Sequence, residues 1–263
     1  MIRSEYIHQA AIIEEGAKVE SNVKVGPFCY VGPNVVLKSG VILKNNVTVV
    51  GDTIVGEGTT VFPYATVGEI PQDLKFTGEL TKLVIGKRNQ IRESVTMNTG
   101  TSGGGGVTIV GNDCLFMTGS HVAHDAQIGN NVIMANQSAV AGHCVIEDNV
   151  IIGGLSGVHQ FVRVGRGAII GAVTMVTNDV IPYGMVQASR GELEGLNYVG
   201  LKRSGVSRED ILALRASYQM LKQGDGTFQD RAKSLLKETD SIYVKEVVNF
   251  ILGSTDRSFL VPG

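Results

Sequence analysis

An aliphatic residue recurs at every sixth position over most of this chain. In a first block every position with this spacing is aliphatic, and these positions are Ile7, Ile13, Val19, Val25, Val31, Leu37, Leu43, Val49, Val55, Val61 and Val67. In a second block every such position is apolar, and these are Val110, Phe116, Val122, Ile128, Met134, Val140, Ile146, Ile152, Val158, Val164, Ile170 and Val176. A six-residue period with an aliphatic guide residue is typical of a hexapeptide parallel β-helix, in which three hexads form a triangular coil of about 18 residues.

The remaining positions of each hexad predict short strands joined by turns. The fifth position holds small or aliphatic residues such as Ala126, Ser138 and Val150, whereas Gly, Asn and Asp gather at positions two to four. This pattern predicts an interior stack of Val and Ile, with each coil covering the edge of the next. Hexapeptide helices wind left-handed, against the usual right-handed crossover. That handedness is taken from the resemblance to this class of fold, because the period does not determine it.

The periodic pattern is interrupted twice and then gives way to a different one. We predict an all-β left-handed parallel β-helix of hexapeptide repeats over residues 1–196, with inserted loops near 69–82 and 99–108. Further along, Ser207 precedes an acidic first turn and an amphipathic run, as at the start of a capped helix. We therefore predict a C-terminal α-helical appendage over residues 197–263.

Composition and charge narrow the possible functions. The net charge of -2 and the pI near 6.2 argue against a nucleic-acid partner bound through bulk positive charge. No apolar run reaches about 18 residues, so no transmembrane segment is expected, and the N-terminus has no secretory signal pattern. Three cysteines fit a reducing compartment better than a disulfide framework. We expect a cytoplasmic protein.

Two features that could indicate catalysis or phosphate binding have simpler explanations. Cys29, Cys114 and Cys144 stand at the small fifth position of their hexads, so we interpret them as core residues and expect no catalytic thiol. The run Gly103–Gly106 lacks the GK[ST] signature and following helix of a phosphate-binding loop. We interpret it as a flexible interruption between coils.

The histidines avoid the first and fifth positions, so none belongs to the buried ladder. His124, His143 and His159 lie in hexads whose guide residues are 18 apart, and we expect them to form a column along one edge of three successive coils. Stacked histidines could bind Zn²⁺, as in the γ-class carbonic anhydrases. Alternatively, His124 is a general base oriented by Asp125. Gly142, one coil further along, would then offer its N–H to an oxyanion, which favours acyl transfer.

Five segments are distinctive: Ser120–Asp125 (SHVAHD), Ala141–His143 (AGH), Val158–Phe161 (VHQF), Gly68–Phe76 (GEIPQDLKF) and Leu196–Arg203 (LNYVGLKR). Together they resemble the acyl-[acyl-carrier-protein]–UDP-N-acetylglucosamine O-acyltransferases, the first enzymes of lipid A synthesis, over essentially the whole chain. The resemblance implies transfer of a 3-hydroxyacyl group from acyl carrier protein to the 3-hydroxyl of UDP-N-acetylglucosamine. It implies no metal or other cofactor, and a homotrimer with each site between two subunits.

The resemblance also implies roles for individual residues. His124 would be the general base, Asp125 would hold its imidazole, and Gly142 would donate to the oxyanion. The implied substrate-binding residues are Gln72, Asp73, Lys75, His121, His143, Gly154, His159, Gln160, Ala172, Asn197 and Arg203. Of these, His121 and Lys75 would position the sugar and its phosphates, and His143 would reach the 3-hydroxyl of the acyl chain. Lys75 would meet His124 across a subunit interface.

The spacing of 18 also predicts an acyl-chain ladder. Asn136, Gly154 and Ala172 follow one another at this spacing and should form a vertical row that starts near the histidine column. In the family that this sequence resembles, the residue at the position of Ala172 sets the length of the acyl chain that fits. Gly leaves the groove open, and a large side chain closes it. We therefore expect a chain somewhat shorter than that of Gly-bearing members.

Some features differ from the family pattern or fit other functions. Val199 stands where members have a carboxylate, and Ser204 where they have a second Arg. The later UDP-3-acyl-glucosamine N-acyltransferase has an extra N-terminal domain, whereas the hexads here begin at Ile7. A purely structural β-helix is a third alternative, disfavoured by the polar histidine edge. Candidates for docking the acidic carrier protein are the basic residues Lys202, Arg203, Arg208 and Arg215.

Overall fold

The computed structural model describes residues 6–187, 191–253, 255 and 257–262 of the chain. In this part of the chain, short strands form three sheets, which we call sheets I, II and III. Neighbouring strands are parallel except for the last two strands of sheet III, which are antiparallel. The three sheets are the faces of a triangular prism, and successive strands enter them in rotation.

Sheet I contains, in spatial order, β1 (Ile12–Ile13), β4 (Tyr30–Val31), β7 (Thr48–Val49), β10 (Thr66–Glu69), β13 (Thr96–Asn98), β16 (His121–Val122), β19 (Ala139–Val140), β22 (Gly157–Val158) and β25 (Met175–Val176). Sheet II contains β2 (Lys18–Val19), β5 (Val36–Leu37), β8 (Asp52–Val55), β11 (Lys82–Ile85), β14 (Val107–Val110), β17 (Gln127–Ile128), β20 (Val145–Ile146) and β23 (Arg163–Val164). Sheet III contains β3 (Lys24–Val25), β6 (Ile42–Leu43), β9 (Thr60–Val61), β12 (Gln90–Ile91), β15 (Leu115–Phe116), β18 (Ile133–Met134), β21 (Ile151–Ile152), β24 (Ile169–Ile170), β26 (Gly184–Gln187) and β27 (Glu192–Leu196).

The aliphatic guide residues fill the interior of the prism. Val31, Val49 and Val122 are each the second residue of a strand and are completely buried. The same position is buried in almost all of the remaining coils. Because the side chains of a strand alternate between its two faces, this one position per hexad is enough to build a continuous core. The predicted left-handed parallel β-helix of hexapeptide repeats, with helices at its C-terminal end, is confirmed.

Two coils are longer than the rest, which explains why the period is interrupted. Residues stacked in neighbouring coils normally keep the spacing of 18, as do Ile12 and Tyr30 or Ser21 and Ser39. The spacing is 30 between Val61 and Ile91 and 25 between Ile91 and Phe116. The extra residues form the loops 70–81 and 99–106, and the second of these contains a short 3₁₀ turn, Ser102–Gly104.

At most corners of the prism the chain turns through a residue with left-handed backbone. The non-glycine residues with positive φ, from 54° to 66°, are Asn22, Phe28, Asn46, Tyr64, Arg88, Ser94, Asp113, Asp125, Asn131, Gln137, His143, Asn149, Leu155, Phe161, Val173 and Tyr183. Asn, Asp and Gly tolerate this conformation best, which explains their enrichment at the turn positions. We name each corner by the sheets it joins: the I–II corner follows sheet I and the III–I corner precedes it.

Four helices follow the last strand: α1 (Tyr198–Arg203), α2 (Arg208–Lys222), α3 (Phe228–Glu238) and α4 (Ile242–Leu252). The Ser207 hydroxyl accepts a hydrogen bond from a backbone N–H in the first turn of α2, as its sequence indicated. No helix in residues 6–187, 191–253, 255 and 257–262 is long and apolar enough to cross a membrane.

Polar contacts attach the helices to the β-helix. Tyr218 on α2 donates a hydrogen bond to the carbonyl of Leu193 at 2.7 Å, and Arg166 lies 2.8 Å from Glu246 on α4. The last strand ends at Leu196 and α1 begins at Tyr198. The division into domains 1–196 and 197–263 stays a prediction.

Candidate active site

A buried histidine and aspartate are paired at the I–II corner, just after β16. His124 Nδ1 lies 2.8 Å from Asp125 Oδ2, and the two side chains are only 7% and 1% exposed. A carboxylate can only accept, so Nδ1 must carry the proton of this hydrogen bond, and in the neutral ring Nε2 then has the lone pair. The sequence placed His124 outside the buried ladder, and the structure shows that it is buried nonetheless.

The cover over this pair comes from the second inserted loop. Thr101 donates to Asp125 twice, from its backbone N–H to Oδ1 at 2.9 Å and from its hydroxyl to Oδ2 at 2.6 Å. Thr108 Oγ1 accepts the backbone N–H of Asp125 at 2.8 Å. A Cβ on Gly104 would lie 2.1 Å from Asp125 Cγ, so the 3₁₀ turn rests directly on the carboxylate. Our interpretation of the run Gly103–Gly106 as a mere interruption missed this contact.

Gly142 lies one coil above His124, as the spacing of 18 predicted. The His143 N–H donates to the carbonyl of His124 at 3.1 Å, which sets this alignment. A Cβ on Gly142 would lie 2.5 Å from His124 Cε1 and 2.7 Å from Nε2, so only glycine leaves room for the imidazole. Within the part of the chain that the structure describes, the Gly142 N–H has no hydrogen-bond acceptor.

The predicted column of three histidines contains two histidines and a phenylalanine. The ring centroids of His124 and His143 are 5.0 Å apart with the rings at 86°. On the other face of His143, the ring of Phe161 is stacked at 4.5 Å and 2°. His159 is not part of the column: it is exposed, and Arg257 Nη2 approaches its Nδ1 at 3.2 Å. Phe161 follows His143 by 18 residues, which is one full coil, whereas His159 follows His143 by only 16 residues.

Burial and neighbouring charges set the protonation of the other histidines. Burial lowers the pKa of His143; the charges of Asp125 and Asp73 raise it, and those of His124 and Lys75 lower it further. Burial also lowers the pKa of His121, whose Nδ1 lies 2.7 Å from the Thr96 hydroxyl. Both rings are therefore favoured in the neutral form at neutral pH.

The first inserted loop, residues 70–81, brings three predicted substrate ligands toward this corner. Asp73 Oδ1 accepts the backbone N–H of Lys75 at 3.0 Å, which shapes the turn, while Gln72 and Lys75 are exposed. Lys75 and Asp73 act on the pKa of His143 within one chain. The expectation that Lys75 meets His124 across a subunit interface stays a prediction.

The two inserted loops are joined to each other through Glu79. Its Oε1 accepts hydrogen bonds from the N–H and the hydroxyl of Ser102, both at 3.2 Å. Hydrogen bonds lower the pKa of Glu79 to about 2. The largest contributions come from the backbone N–H groups of Glu79 itself and Thr77, and the N–H of Ser102 adds to them. The carboxylate thus stays charged and holds loop 70–81 against the turn that covers Asp125.

A metal site at this corner is a poor fit to the donors present. His124, Asp125 and His143 offer ligand atoms within 4.8 Å of one another. However, both oxygens of Asp125 already accept hydrogen bonds from Thr101, and Oδ2 also from His124. The three-histidine site considered from the sequence is not formed by the described residues, because His159 faces away. The donor set suits a base oriented by a carboxylate.

Asn136, Gly154 and Ala172 form the predicted vertical row, but at the other edge of sheet I. The Leu155 N–H donates to the Asn136 carbonyl and the Val173 N–H to the Gly154 carbonyl, so the three turns are stacked at the III–I corner. In one chain the width of sheet I separates this row from His124. The expectation that the row starts near the histidine column is therefore wrong for a single protomer.

The remaining predicted ligands lie in two other places. Gln160 is exposed beside His159, and its carbonyl accepts a hydrogen bond from Arg257 at 3.1 Å. Asn197 and Arg203 line a groove of about 480 Å³ between α1 and sheet III. The Asn197 side chain accepts from Gly200 N–H at 3.0 Å and donates to the Gly167 carbonyl at 3.2 Å, so its polar atoms are already engaged.

The cysteines are in the core, as their position in the hexads predicted. Cys29, Cys114 and Cys144 are free thiols and are at most 2% exposed. Burial raises the pKa of all three, to about 11 for Cys114 and about 12 for Cys144. Such thiols stay protonated at neutral pH and are poor nucleophiles.

A hexapeptide-repeat β-helix with a buried His–Asp pair beside an unpartnered glycine N–H defines an acyltransferase of the hexapeptide class. Three family models match: "Udp N-acetylglucosamine O-acyltransferase; Domain 2" at residues 179–260, "Bacterial transferase hexapeptide (six repeats)" at 107–142, and "GMPPB C-terminal domain" at 1–102. The chain belongs to the acyl-[acyl-carrier-protein]–UDP-N-acetylglucosamine O-acyltransferase family.

Relatives and solved structures support this assignment over most of the chain. The Paracoccus denitrificans member is 62% identical over 202 residues, 77% of each chain, and the Caulobacter vibrioides member 48% over 215 residues, 81% of this chain and 82% of that one. A crystal structure of a UDP-N-acetylglucosamine acyltransferase matches 98% of this chain and 99% of its own, at 40% identity and a TM-score of 0.94. The Campylobacter jejuni enzyme matches at 36% identity and 0.92, covering 98% and 100%. These matches favour the O-acyltransferases over the N-acyltransferase and the anhydrase.

Proposed function

We propose that this chain transfers a 3-hydroxyacyl group from acyl carrier protein to the 3-hydroxyl of UDP-N-acetylglucosamine, the first step of lipid A synthesis. One observation carries the proposal. The His124–Asp125 pair leaves the Nε2 lone pair of His124 next to Gly142, whose N–H has no acceptor in the described part of the chain. The names of the relatives, quoted above, supply the two substrates.

The chemistry follows from this arrangement. His124 Nε2 removes the proton of the sugar 3-hydroxyl as that oxygen attacks the thioester carbonyl. The carbonyl oxygen becomes an oxyanion, which the Gly142 N–H stabilises. When the carbon–sulfur bond breaks, the imidazolium returns its proton to the departing thiolate of the carrier, so proton and charge balance. Asp125 holds the ring throughout and stabilises its charged form.

The surrounding polar groups fit the ends of the two substrates. Lys75 is exposed beside the corner and supplies a cation for the diphosphate, with Gln72 and Asp73 in the same loop. His121 is kept neutral by burial, and because its Nδ1 is bonded to the Thr96 hydroxyl, its Nε2 is left to make one hydrogen bond toward the sugar. His143 is placed to meet the 3-hydroxyl of the acyl chain, and His159 and Gln160 would line the same groove further along.

We further propose a homotrimer in which each site lies between two protomers. In one chain the row of Asn136, Gly154 and Ala172 is separated from His124 by sheet I, so a neighbouring protomer must supply the acyl-chain groove. Large apolar side chains also stand on the outer surface, where a second copy would cover them. They include Phe28, Tyr64, Leu74, Leu80, Leu155 and Val173.

The carrier protein is proposed to dock between α1 and α2. A groove of about 600 Å³ there has an apolar floor that includes Ile211 and Leu212 and is edged by Lys202, Arg208 and Arg215. Cations around an apolar floor suit an acidic amphipathic helix, such as those of acyl carrier proteins. Arg203 instead lies in the groove with Asn197. We propose that the reaction takes place in the cytoplasm, which the two substrates and the free cysteines support.

The test is a product assay with 3-hydroxyacyl carrier protein and labelled UDP-N-acetylglucosamine, with and without a chelator. His124→Ala should lower kcat by roughly 10²–10⁴ without changing the circular dichroism spectrum. His8→Ala, which removes an exposed histidine in the first coils, is the matched control and should retain the wild-type rate. Near wild-type turnover by His124→Ala would remove it from the role of base. Activity only on UDP-3-acyl-glucosamine, or only with bound zinc, would refute the proposed reaction.

A further inference from the structure

The ring of Phe161 lies flat on the ring of His143. The centroids are 4.5 Å apart and the planes differ by 2°. Both residues stand at the I–II corner in successive coils, and both have left-handed backbone, with φ of 62° for His143 and 66° for Phe161. Because the two turns have the same conformation one coil apart, their side chains leave the helix in parallel.

Core packing does not account for Phe161. Its side chain is about half exposed, and its left-handed backbone is one that Asn, Asp or Gly adopts at lower cost. Bulky side chains stand at this left-handed position elsewhere too, as at Phe28, Leu155 and Val173, so the position alone does not distinguish Phe161. The contact that distinguishes this corner from the others is the stacked imidazole.

We propose that Phe161 is a positioning residue, whose stacked ring fixes the orientation of the His143 imidazole beside His124 so that it can meet the acyl substrate. The inference rests on the proposed function, since it assigns His143 to the acyl donor. Phe161 acts through His143 and does not itself take part in the proton transfers.

The neutral state of His143 matters because of what surrounds it. His143 faces His124 at a centroid distance of 5.0 Å, and its Nδ1 lies 3.8 Å from Asp125 Oδ2. The charges of Asp73 and Lys75 in loop 70–81 also act on the pKa of His143, with opposite signs. A charged His143 would repel the imidazolium that forms on His124 and would compete with it for Asp125. The Phe161 ring keeps water off one face of His143 and so favours the neutral form.

The first arm of the test measures activity. Phe161→Ala should lower kcat/KM for the acyl donor by about tenfold to a hundredfold, as expected when a reacting group shifts by about an ångström. The acidic limb of its pH profile should move to higher pH, because His143 loses cover and its pKa rises toward the ordinary value. Phe161→Tyr should restore both quantities, whereas Phe161→Leu, apolar but not planar, should not. Equal rescue by Leu would overturn the stacking role.

The second arm does not depend on turnover. The ring protons of His143 are followed by NMR during a pH titration of the free protein, in wild type and in Phe161→Ala. The variant should titrate at higher pH and lose the ring-current shift that a stacked phenyl produces. An unchanged titration, or unchanged kcat/KM, would overturn the inference. If wild type makes no acylated product while the titration behaves as described, the proposed function fails and the contact stands.

Discussion

The substitution Gly104→Ala tests whether the inserted turn is part of the active site. An added Cβ would lie 2.1 Å from Asp125 Cγ and 2.4 Å from each carboxylate oxygen. Ordinary contact begins at 3.4 Å, so the carboxylate or the 3₁₀ turn must move until that distance is restored. A Cβ added to the neighbouring Gly103 would have nothing within 4 Å, and neither residue has positive φ. Gly103→Ala is therefore a matched control in the same turn.

The expected loss follows from the bonds that such a shift breaks. A displacement of this size separates Asp125 from the hydrogen bonds of Thr101 and His124, which are 2.6 to 2.9 Å long. His124 then loses its fixed orientation, and misplacement by about 1 Å costs roughly 10²-fold in rate. A buried carboxylate left without a donor also destabilises the fold by about 1–3 kcal/mol per lost partner.

The assay compares kcat at saturating substrates and the thermal midpoint for both variants. We expect Gly104→Ala to lose about 10²-fold in kcat and to unfold at lower temperature, and Gly103→Ala to match wild type in both. If both variants keep the wild-type kcat, the turn does not support Asp125. If both lose activity equally, the conformation of the turn matters and the carboxylate contact does not.

Three further predictions concern other parts of the molecule. Cys144 should resist iodoacetamide at pH 8 in the native protein, since burial raises the pKa of its thiol to about 12. Cys144→Ser should keep the wild-type kcat. Rapid labelling, or a large loss of kcat in the variant, would place the thiol outside the core. Ala172→Gly should shift preference toward longer acyl chains and Ala172→Met toward shorter ones, by about tenfold or more in relative kcat/KM; an unchanged chain-length profile would show that the groove ends elsewhere. Trimers mixed from His124→Ala and Ala172→Trp chains should regain activity, because one site can combine intact residues from two protomers. Trimers mixed from His124→Ala and Lys75→Ala chains should also regain part of the activity if Lys75 meets His124 across an interface; mixed trimers that regain none would show that the site lies within one subunit.

The sequence predicts this fold well because its signal is strictly periodic. One aliphatic residue every six positions defines both the strand and its inward face, and the structure buries Val49 and Val122 completely at this position. The same arithmetic placed Gly142 above His124, since every coil has the same length wherever no loop intervenes. The cysteines followed from their hexad position for the same reason.

What the period did not reveal is the direction in which corner residues point. His159 and Phe161 belong to one hexad, yet Phe161 stacks on His143, because Phe161 and His143 share the left-handed fourth position whereas His159 stands at the second. Phe161 is the residue that follows His143 by 18 positions, so the spacing of one full coil identifies it. The row ending at Ala172 was misplaced for a related reason, since a shared spacing shows that residues are stacked but not on which of three corners.

The buried pair depends on the interruption of the repeat more than on the repeat itself. A β-helix corner is open to solvent, and a His–Asp pair on an uninterrupted coil would be hydrated on its outer side. The coil below β16 is one of the two long ones, and its extra residues bring Thr101 and Gly104 over Asp125. Burial without those donors would be costly for a carboxylate and would favour its protonated form. The loop therefore supplies cover and hydrogen bonds together, which is what a charged orienting group needs in order to stay charged beside His124.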